Sequence, residues 1–375
     1  MIRSNISRML DVLVNFLEFK FPTSNCLAII NDLRLTIMFF SIDDSRIMAL
    51  TTMSHLSNLK PDLQRFTAMR GFLMCNVSPI GLCTHLYKSS LAFVPKCDPV
   101  RTEDVIRLKE FINKHHQLCV LTGAGVSTES GIPDYRSAKV GLYARSDHRP
   151  IHYKEFCASE KTRRRYWARN FVGWPRFSSF KPNITHMILK DLEYTGKIGF
   201  IITQNVDNLH SKAGCKKIIE LHGTAFKVMC LNCSHKICRC EFQEILQKCN
   251  PSMVTMTQMI RPDGDVELSQ EHVEHFNIPA CNNCGGILKP DIVFFGDNVP
   301  HKVVQNVKTN VENSDALLIL GTSLSTFSAY RIVLQAIDAK KPIAIINIGK
   351  TRADELVNLR VEGRCGDIFP KVCKL

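Results

Sequence analysis

The sequence predicts an α/β protein, a Rossmann-like doubly wound parallel sheet that carries an inserted small zinc-binding module. Three observations lead there. Short apolar runs alternate with helical stretches from about residue 100 onward, a glycine-rich turn follows the first run, and two Cys-x-x-Cys pairs interrupt the alternation. Buried strands that alternate with helices imply a parallel sheet covered on both faces.

The elements can be justified in order. Ordered structure is expected to begin near Thr102, where Val105, Ile106, Leu108, Phe111 and Ile112 recur at helical spacing behind Glu103 and Asp104, the acidic start that a helix N-terminus prefers. The apolar runs at 118–121, 198–202, 316–320 and 343–346 are each bounded by Gly, Pro, Asn or a polar turn, and are read as strands. The segment from about 226 to 290 breaks this rhythm and holds both cysteine pairs.

Cys230-x-x-Cys233, 47 intervening residues and Cys281-x-x-Cys284 supply four thiolates at knuckle spacing for one tetrahedral zinc ion. Four sulfurs leave no open position for water, so the expected metal is structural. Cys238 and Cys240 lie nearby, but C-x-C suits a knuckle less well and they read as incidental thiols in a loop. Sixteen cysteines scattered through the chain fit metal binding in a reducing compartment better than a disulfide framework.

Length and composition set the outer bounds. With 375 residues, 45% hydrophobic and 22% charged, the chain suits a globular protein of two or three structural units. No run reaches the eighteen apolar residues of a membrane span, and the longest candidate, 35–42, is far too short, so no membrane association is expected. The net charge of +13 is compatible with nucleic-acid binding or with an alkaline compartment. The densest basic run, Lys161-Thr162-Arg163-Arg164-Arg165, reads as a solvated helix face, no nucleic-acid signature accompanies it, and no nucleic-acid partner is expected.

Residues 1–68 show no sustained period and stay unassigned; a gene-model extension ahead of Met69 would account for them. Residues 69–98 hold no acid before Asp98, are sparsely basic and rich in small hydroxylated residues, the composition of a mitochondrial transit peptide. The main folded domain is placed at 99–375.

The glycine-rich turn reads Gly123-Ala124-Gly125-Val126-Ser127, and the chain continues from Thr128 through Ile132, Pro133, Asp134, Tyr135 and Arg136. Glycines between a strand and a helix let backbone N–H groups approach a pyrophosphate. The spacing differs from G-x-G-x-x-G, and no acidic ribose-binding residue follows at the usual distance, which disfavours a hydride-transferring enzyme.

GAGVSTESGIPDYR resembles the signature of the sirtuin family, and further blocks follow in that family's order. They are Gln204-Asn205-Val206-Asp207, Leu221-His222-Gly223, the paired cysteines, Lys289 to Asp297 (KPDIVFFGD), Gly321-Thr322-Ser323-Leu324 and Asn347-Ile348-Gly349. The resemblance covers about 100–370, and DYRS, KVGLYAR and RRYWARNFVGWPRFSS are similar to the mitochondrial class II branch.

This resemblance implies a protein-lysine deacylase that consumes NAD, releasing nicotinamide and O-acyl-ADP-ribose. Acyl-lysine-bearing proteins of the mitochondrial matrix are the implied partners, with lipoyl, biotinyl or other bulky acyl groups as cargo. Transfer of ADP-ribose to protein, or an inactive zinc-stabilised scaffold, are the other readings. His222 is the implied general base: a neutral imidazole accepts a ribose hydroxyl proton near pH 7. Gln204, Asn205 and Asp207 are implied to hold the nicotinamide ribose and carboxamide, with Val206 beside them. Tyr135 and Arg136 are implied to order the covering loop, with a local ion pair between Asp134 and Arg136 as the lesser reading.

Gly321, Thr322 and Ser323 fall at a strand end, where open α/β sheets bind ligands. Asn347, Ile348, Gly349 and Cys365 match the adenosine side, and Cys365 could also be a small buried residue. Val293 to Gly296 would pair with a substrate peptide by strand addition. Tyr143 is grouped with the cofactor residues, and Arg145 reads either as a partner for a carboxylated acyl chain or as a surface charge.

Overall fold

The computed structural model describes residues 37–41, 47–51, 91–145, 150–253 and 261–373. The chain divides into two units at Val77/Ser78. In the first, strands β1 (Ile37–Ser41) and β2 (Ile47–Thr51) pair antiparallel. Most of the segment read from composition as a transit peptide lies outside the described residues.

The second unit opens with helix α1 (Thr102–Lys114) and strand β3 (Leu118–Thr122). Next come α2 (Leu142–Arg145), α3 (Tyr153–Ala158), α4 (Glu160–Ser179) and α5 (Ile184–Tyr194). Strand β4 (Ile198–Thr203), helix α6 (Leu209–Ala213) and strand β5 (Ile218–Glu220) return to the sheet. Strands β6 (Gly223–Cys230) and β7 (Lys236–Cys238), helices α7 (Arg239–Cys249) and α8 (Gln270–Glu274), and strand β8 (Leu288–Ile292) form the insertion. Helix α9 (His301–Asn313), β9 (Ala316–Leu320), α10 (Phe327–Asp338), β10 (Ile343–Asn347), β11 (Leu359–Glu362) and α11 (Cys365–Val372) complete the unit.

The main sheet runs β11-β10-β9-β3-β4-β5, every pairing parallel. Its central strands are buried on both faces because successive side chains alternate between two covered layers. Leu118, Val120, Leu318 and Leu320 pack with α1, α5 and α11, whereas Cys119, Leu121, Leu317 and Ile319 pack with α9 and α10. The four strands expected from apolar runs are β3, β4, β9 and β10. The short edge strands β5 and β11 were not legible, since three or four residues carry too little pattern.

A smaller domain caps one side. Its antiparallel sheet, β7-β6-β8, shares a core with α3 and α4, where Phe156, Trp167, Phe171 and Phe177 meet Val228, Phe242, Phe276 and Leu288. Two separated stretches of chain therefore build it, and the cysteine-bearing segment supplies only one of them. Ser159 caps α4, its hydroxyl accepting from the Thr162 N–H at 3.1 Å. The basic run at 161–165 opens α4, where Arg163 donates to the carbonyls of Phe156 and Cys157 and Arg164 pairs with Glu160, so part of that face is tied down rather than only solvated.

Candidate active site

Strand order places the site. The chain leaves β3 toward β4 and β5 in one direction, and β9 leads to β10 and β11 in the other, so β3 and β9 flank the switch point of the sheet. Ligands of open α/β sheets bind there, outside the carboxyl ends of the strands. A cavity of about 1000 Å³ opens at this point, at the upper end of the roughly 300–1000 Å³ common for ligand sites.

Gly123 and Gly321 end the two strands, and the backbones touch: the Gly125 N–H donates to the Gly321 carbonyl at 2.8 Å. A Cβ on Gly125 would lie 2.7 Å from the Gly321 oxygen, and one on Gly123 would lie 2.6 Å from Thr322 Cβ. Gly125→Ala is expected to cost about 1–3 kcal/mol as the two turns are forced apart and to weaken NAD binding; denaturant titration and the KM for NAD measure the two effects. Beyond Gly125 the chain forms two 3₁₀ turns, at Ala124–Val126 and Thr128–Ser130, not the α-helix expected from the glycine-rich motif. Gly131, at φ +93°, terminates the second turn.

The QNVD block packs against this turn. Asn205 Nδ2 donates to the Gly123 carbonyl at 3.0 Å and to Ser127 Oγ at 3.1 Å. Ser127 donates in turn to Asp207 Oδ2 at 2.7 Å, and the Leu209 N–H to Oδ1 at 2.9 Å. Burial pushes the Asp207 carboxyl up, and these hydrogen bonds oppose that shift. Gln204 Nε2 donates to Thr322 Oγ1 at 2.9 Å, tying the end of β4 to the end of β9.

His222 sits between β5 and β6, its carbonyl accepting from the Val293 N–H at 2.8 Å. The left-handed φ of Gly223, +76°, and its close approach to the Asp291 backbone fix that junction. The ring lies 3.1 Å from the Gln204 carbonyl through Nδ1 and 2.8 Å from Ser328 Oγ through Nε2. A carbonyl can only accept, so Nδ1 carries the proton and Nε2 holds the lone pair, which takes the Ser328 hydroxyl hydrogen. Burial lowers the His222 pKa, the bond to Gln204 opposing it.

Asp134 is buried, and its Oδ1 accepts from the backbone N–H groups of Arg136 and Ser137 at 3.0 and 2.8 Å, so it organises the loop backbone. Tyr135 and Tyr143 approach ring to ring at 5.8 Å, and the Arg136 guanidinium lies 5.7 Å from the Tyr143 ring centre. At the other end, Asn347 donates to the carbonyls of Ile348 and Gly349, while Cys365 is buried with its thiol pushed up by desolvation. Arg145 is outside the cavity lining, and its guanidinium lies 5.0 Å from the Phe93 ring centre.

The cavity gathers the glycine turn, the covering loop, the QNVD block, His222, Thr322, Ser323, the 347–349 turn and Cys365, with Val293–Gly296 on its wall; Gly123, Pro133 and Tyr143 stand behind the lining. Among the lining residues that escaped sequence reading, Ser328 and Asp263 bear most on the chemistry. Ser328 holds His222 from helix α10. Asp263 faces the cavity, its pKa raised to about 6 by burial and then by Asp265. The turn that bears it is pinned by Arg261 and Arg169 against Asp265 and Glu267. Neither had a recognisable signal, because spatial neighbours alone make them relevant.

In the smaller domain the sulfurs of Cys230, Cys233, Cys281 and Cys284 lie within 4.8 Å of one another. Cys230–Cys284 and Cys233–Cys281 are 3.5 and 3.8 Å apart, matching the ~3.8 Å edge of a tetrahedron with 2.3 Å zinc–sulfur bonds. The donor set fits one structural zinc ion. Cys238 and Cys240 are exposed and lie outside the cluster.

A glycine turn between two strand ends at a sheet switch point, a buried histidine in the same cleft and a four-thiolate knuckle on the capping domain together make an enzyme site suited to a phosphate-bearing nucleotide. The Sir2 family model matches residues 123–328. The chain is 52% identical over 280 residues to the NAD-dependent protein deacylase Sirt4 of Drosophila melanogaster, covering 75% of this chain and 90% of that one. It is 49% identical over 298 residues to the mitochondrial NAD-dependent protein lipoamidase sirtuin-4 of Homo sapiens, covering 80% and 92%. A solved structure of Sir2 with a p53 peptide and NAD+ aligns with a TM-score of 0.57 at 27% identity, covering 72% of this chain and 96% of that one. The chain belongs to the Sir2 family, the sirtuins.

Proposed function

We propose that the protein removes acyl groups from lysine side chains of mitochondrial matrix proteins, consuming NAD and releasing nicotinamide and O-acyl-ADP-ribose. The observation that carries this reading is His222: a neutral imidazole on the cavity wall whose Nδ1 donates to the Gln204 carbonyl and whose Nε2 accepts from Ser328, while its backbone carbonyl accepts from the Val293 N–H. The acyl-lysine carbonyl oxygen attacks the anomeric carbon of the nicotinamide ribose, and nicotinamide leaves. His222 Nε2 then takes the proton of a ribose hydroxyl, whose oxygen attacks the same acyl carbon; water releases the free lysine.

Asn205 and Asp207, fixed by Ser127, hold the nicotinamide ribose and carboxamide with Gln204. Thr322 and Ser323 serve the phosphates and inner ribose, and Asn347, Gly349 and Cys365 the adenosine. Val293–Gly296 receives the peptide backbone. Lipoyl is the acyl class we favour, because the human relative is named a lipoamidase.

The test is incubation with NAD and peptides bearing acetyl, biotinyl, lipoyl and branched dicarboxylic acyl-lysines, with mass spectrometry of nicotinamide, peptide and acyl-ADP-ribose. Deacylated lipoyl or biotinyl peptide supports the reading; mass added to a protein without deacylation replaces it by ADP-ribosyl transfer. No nicotinamide release from folded, zinc-loaded protein leaves only a scaffold.

A pH profile follows from the ring's environment. His222 must be neutral to act, and burial holds its pKa below the ordinary ~6.5 of histidine. The acid limb of kcat/KM is therefore expected below that value, with a plateau at neutral pH; a limb centred well above it would contradict the assignment.

A further inference from the structure

Residues immediately before α1 are folded onto the cofactor cavity. Leu91, Phe93, Val94 and Pro95 are half-buried, and the Val94 N–H closes a turn on the Leu91 carbonyl at 3.0 Å. Phe93 carries the Arg145 guanidinium at 5.0 Å, at the end of the loop that begins with Asp134. Pro95 and Lys96 line the cavity itself. Cys97 then meets Arg364, and Val100 packs by Gly363, both at the turn that precedes Cys365. The segment thus runs from the covering loop at one end of the cavity to the β11–α11 turn at the other.

We propose that residues 91–98 are a strap of the NAD site, with Phe93 positioning the 134–145 loop through Arg145 and Lys96 binding the cofactor's pyrophosphate. This rests on the NAD reading of the cavity. Three physical points favour it. A dinucleotide brings two negative charges, and Arg364, the residue before Cys365, is already paired with Asp367 at 2.9 Å and with Glu129 at 3.9 Å. Lys96 stands on the same wall with a long flexible stem and an exposed ammonium, suited to a phosphate as a point charge. A guanidinium over an aromatic ring is a specific contact, and here it joins the strap to the one segment that must fold over nicotinamide.

The strap also bears on chain processing. Residues 91–98 fall inside the stretch whose composition resembles a transit peptide, yet they belong with the catalytic unit. Cleavage before Leu91 would keep the site whole, and cleavage at Asp98 would open it.

The experiment uses the full chain. Amide hydrogen exchange is followed by mass spectrometry with and without NAD, and KM for NAD and kcat are measured by nicotinamide release for Lys96→Glu, Lys96→Arg and Phe93→Ala. NAD is expected to slow exchange across 91–98. Lys96→Glu should raise the KM for NAD about tenfold, the scale of one lost charged hydrogen bond, and leave kcat within about twofold, while Lys96→Arg stays near wild type. Phe93→Ala should raise KM in the same sense and abolish the protection of 91–98.

Unchanged exchange in that segment, with an unchanged KM in Lys96→Glu, overturns the strap. If wild-type protein releases no nicotinamide, the reading of the enzyme fails, but protection of 91–98 by NAD would still uphold the strap and its lack would still reject it.

Discussion

His222→Ala is expected to lower kcat/KM for deacylation by ~10²–10⁴-fold, the range for loss of a general base, with zinc content and melting temperature held. The ring lies at the cavity wall and its two nitrogens engage one carbonyl and one hydroxyl, both of which water can satisfy after truncation. The fold therefore loses little while the reaction loses its only neutral imidazole among the described lining residues. NAD affinity, set by the glycine turn and the QNVD block, should change far less. Single-turnover nicotinamide release, calorimetry with NAD and thermal melts on the same preparation separate these effects. A variant that keeps full deacylation would assign the proton to another group.

Removing zinc should have the other large effect. A structural zinc site of this type contributes ~10–16 kcal/mol of apparent binding free energy in small modules, as much as or more than the ~5–15 kcal/mol that holds a typical domain folded. A strong chelator, or Cys281→Ser, is expected to unfold β6, β7 and β8 and to abolish activity, because β8 leads directly into the Val293–Gly296 wall of the cavity. The chain's two tryptophans, Trp167 and Trp174, both lie in the core shared with that sheet. Their fluorescence should report the event, and a chromophoric zinc indicator should count one ion per chain. Tryptophan emission and activity that survive complete zinc loss would show that the thiols only ornament the fold.

Much of this was readable before any coordinates. Strands β3, β9 and β10 are fully buried on both faces, and such strands must be apolar throughout, so their runs stand out. The cysteine pairs carry their meaning in their spacing, since two knuckles need little from the rest of the chain. The blocks at Gly123, Gln204 and His222 were legible through resemblance, and their convergence is a property of the switch point. What stayed hidden depends on contacts distant in sequence. Asp263 and Ser328 matter only through what faces them. Arg145, a residue open to two readings, lies over Phe93, part of a segment that composition had assigned to targeting. The smaller domain's dependence on α3 and α4 was likewise invisible, because an amphipathic helix does not announce its partner.

That division of the smaller domain bears on how the protein reaches its native state. Arg239, fully buried, reaches from α7 to the Asn170 side chain of α4 at 2.9 Å and lies 4.5 Å from the Trp174 ring centre. Its partners are made some seventy residues earlier, with β4 and β5 of the other domain threaded between. Closing such a loop costs entropy before any contact repays it, so late formation is expected. On the ribosome the aromatic face of α4 would emerge first and wait, uncovered, for the cysteine-bearing segment to arrive. The interval between those two moments is when a chaperone, or an aggregate, would find it.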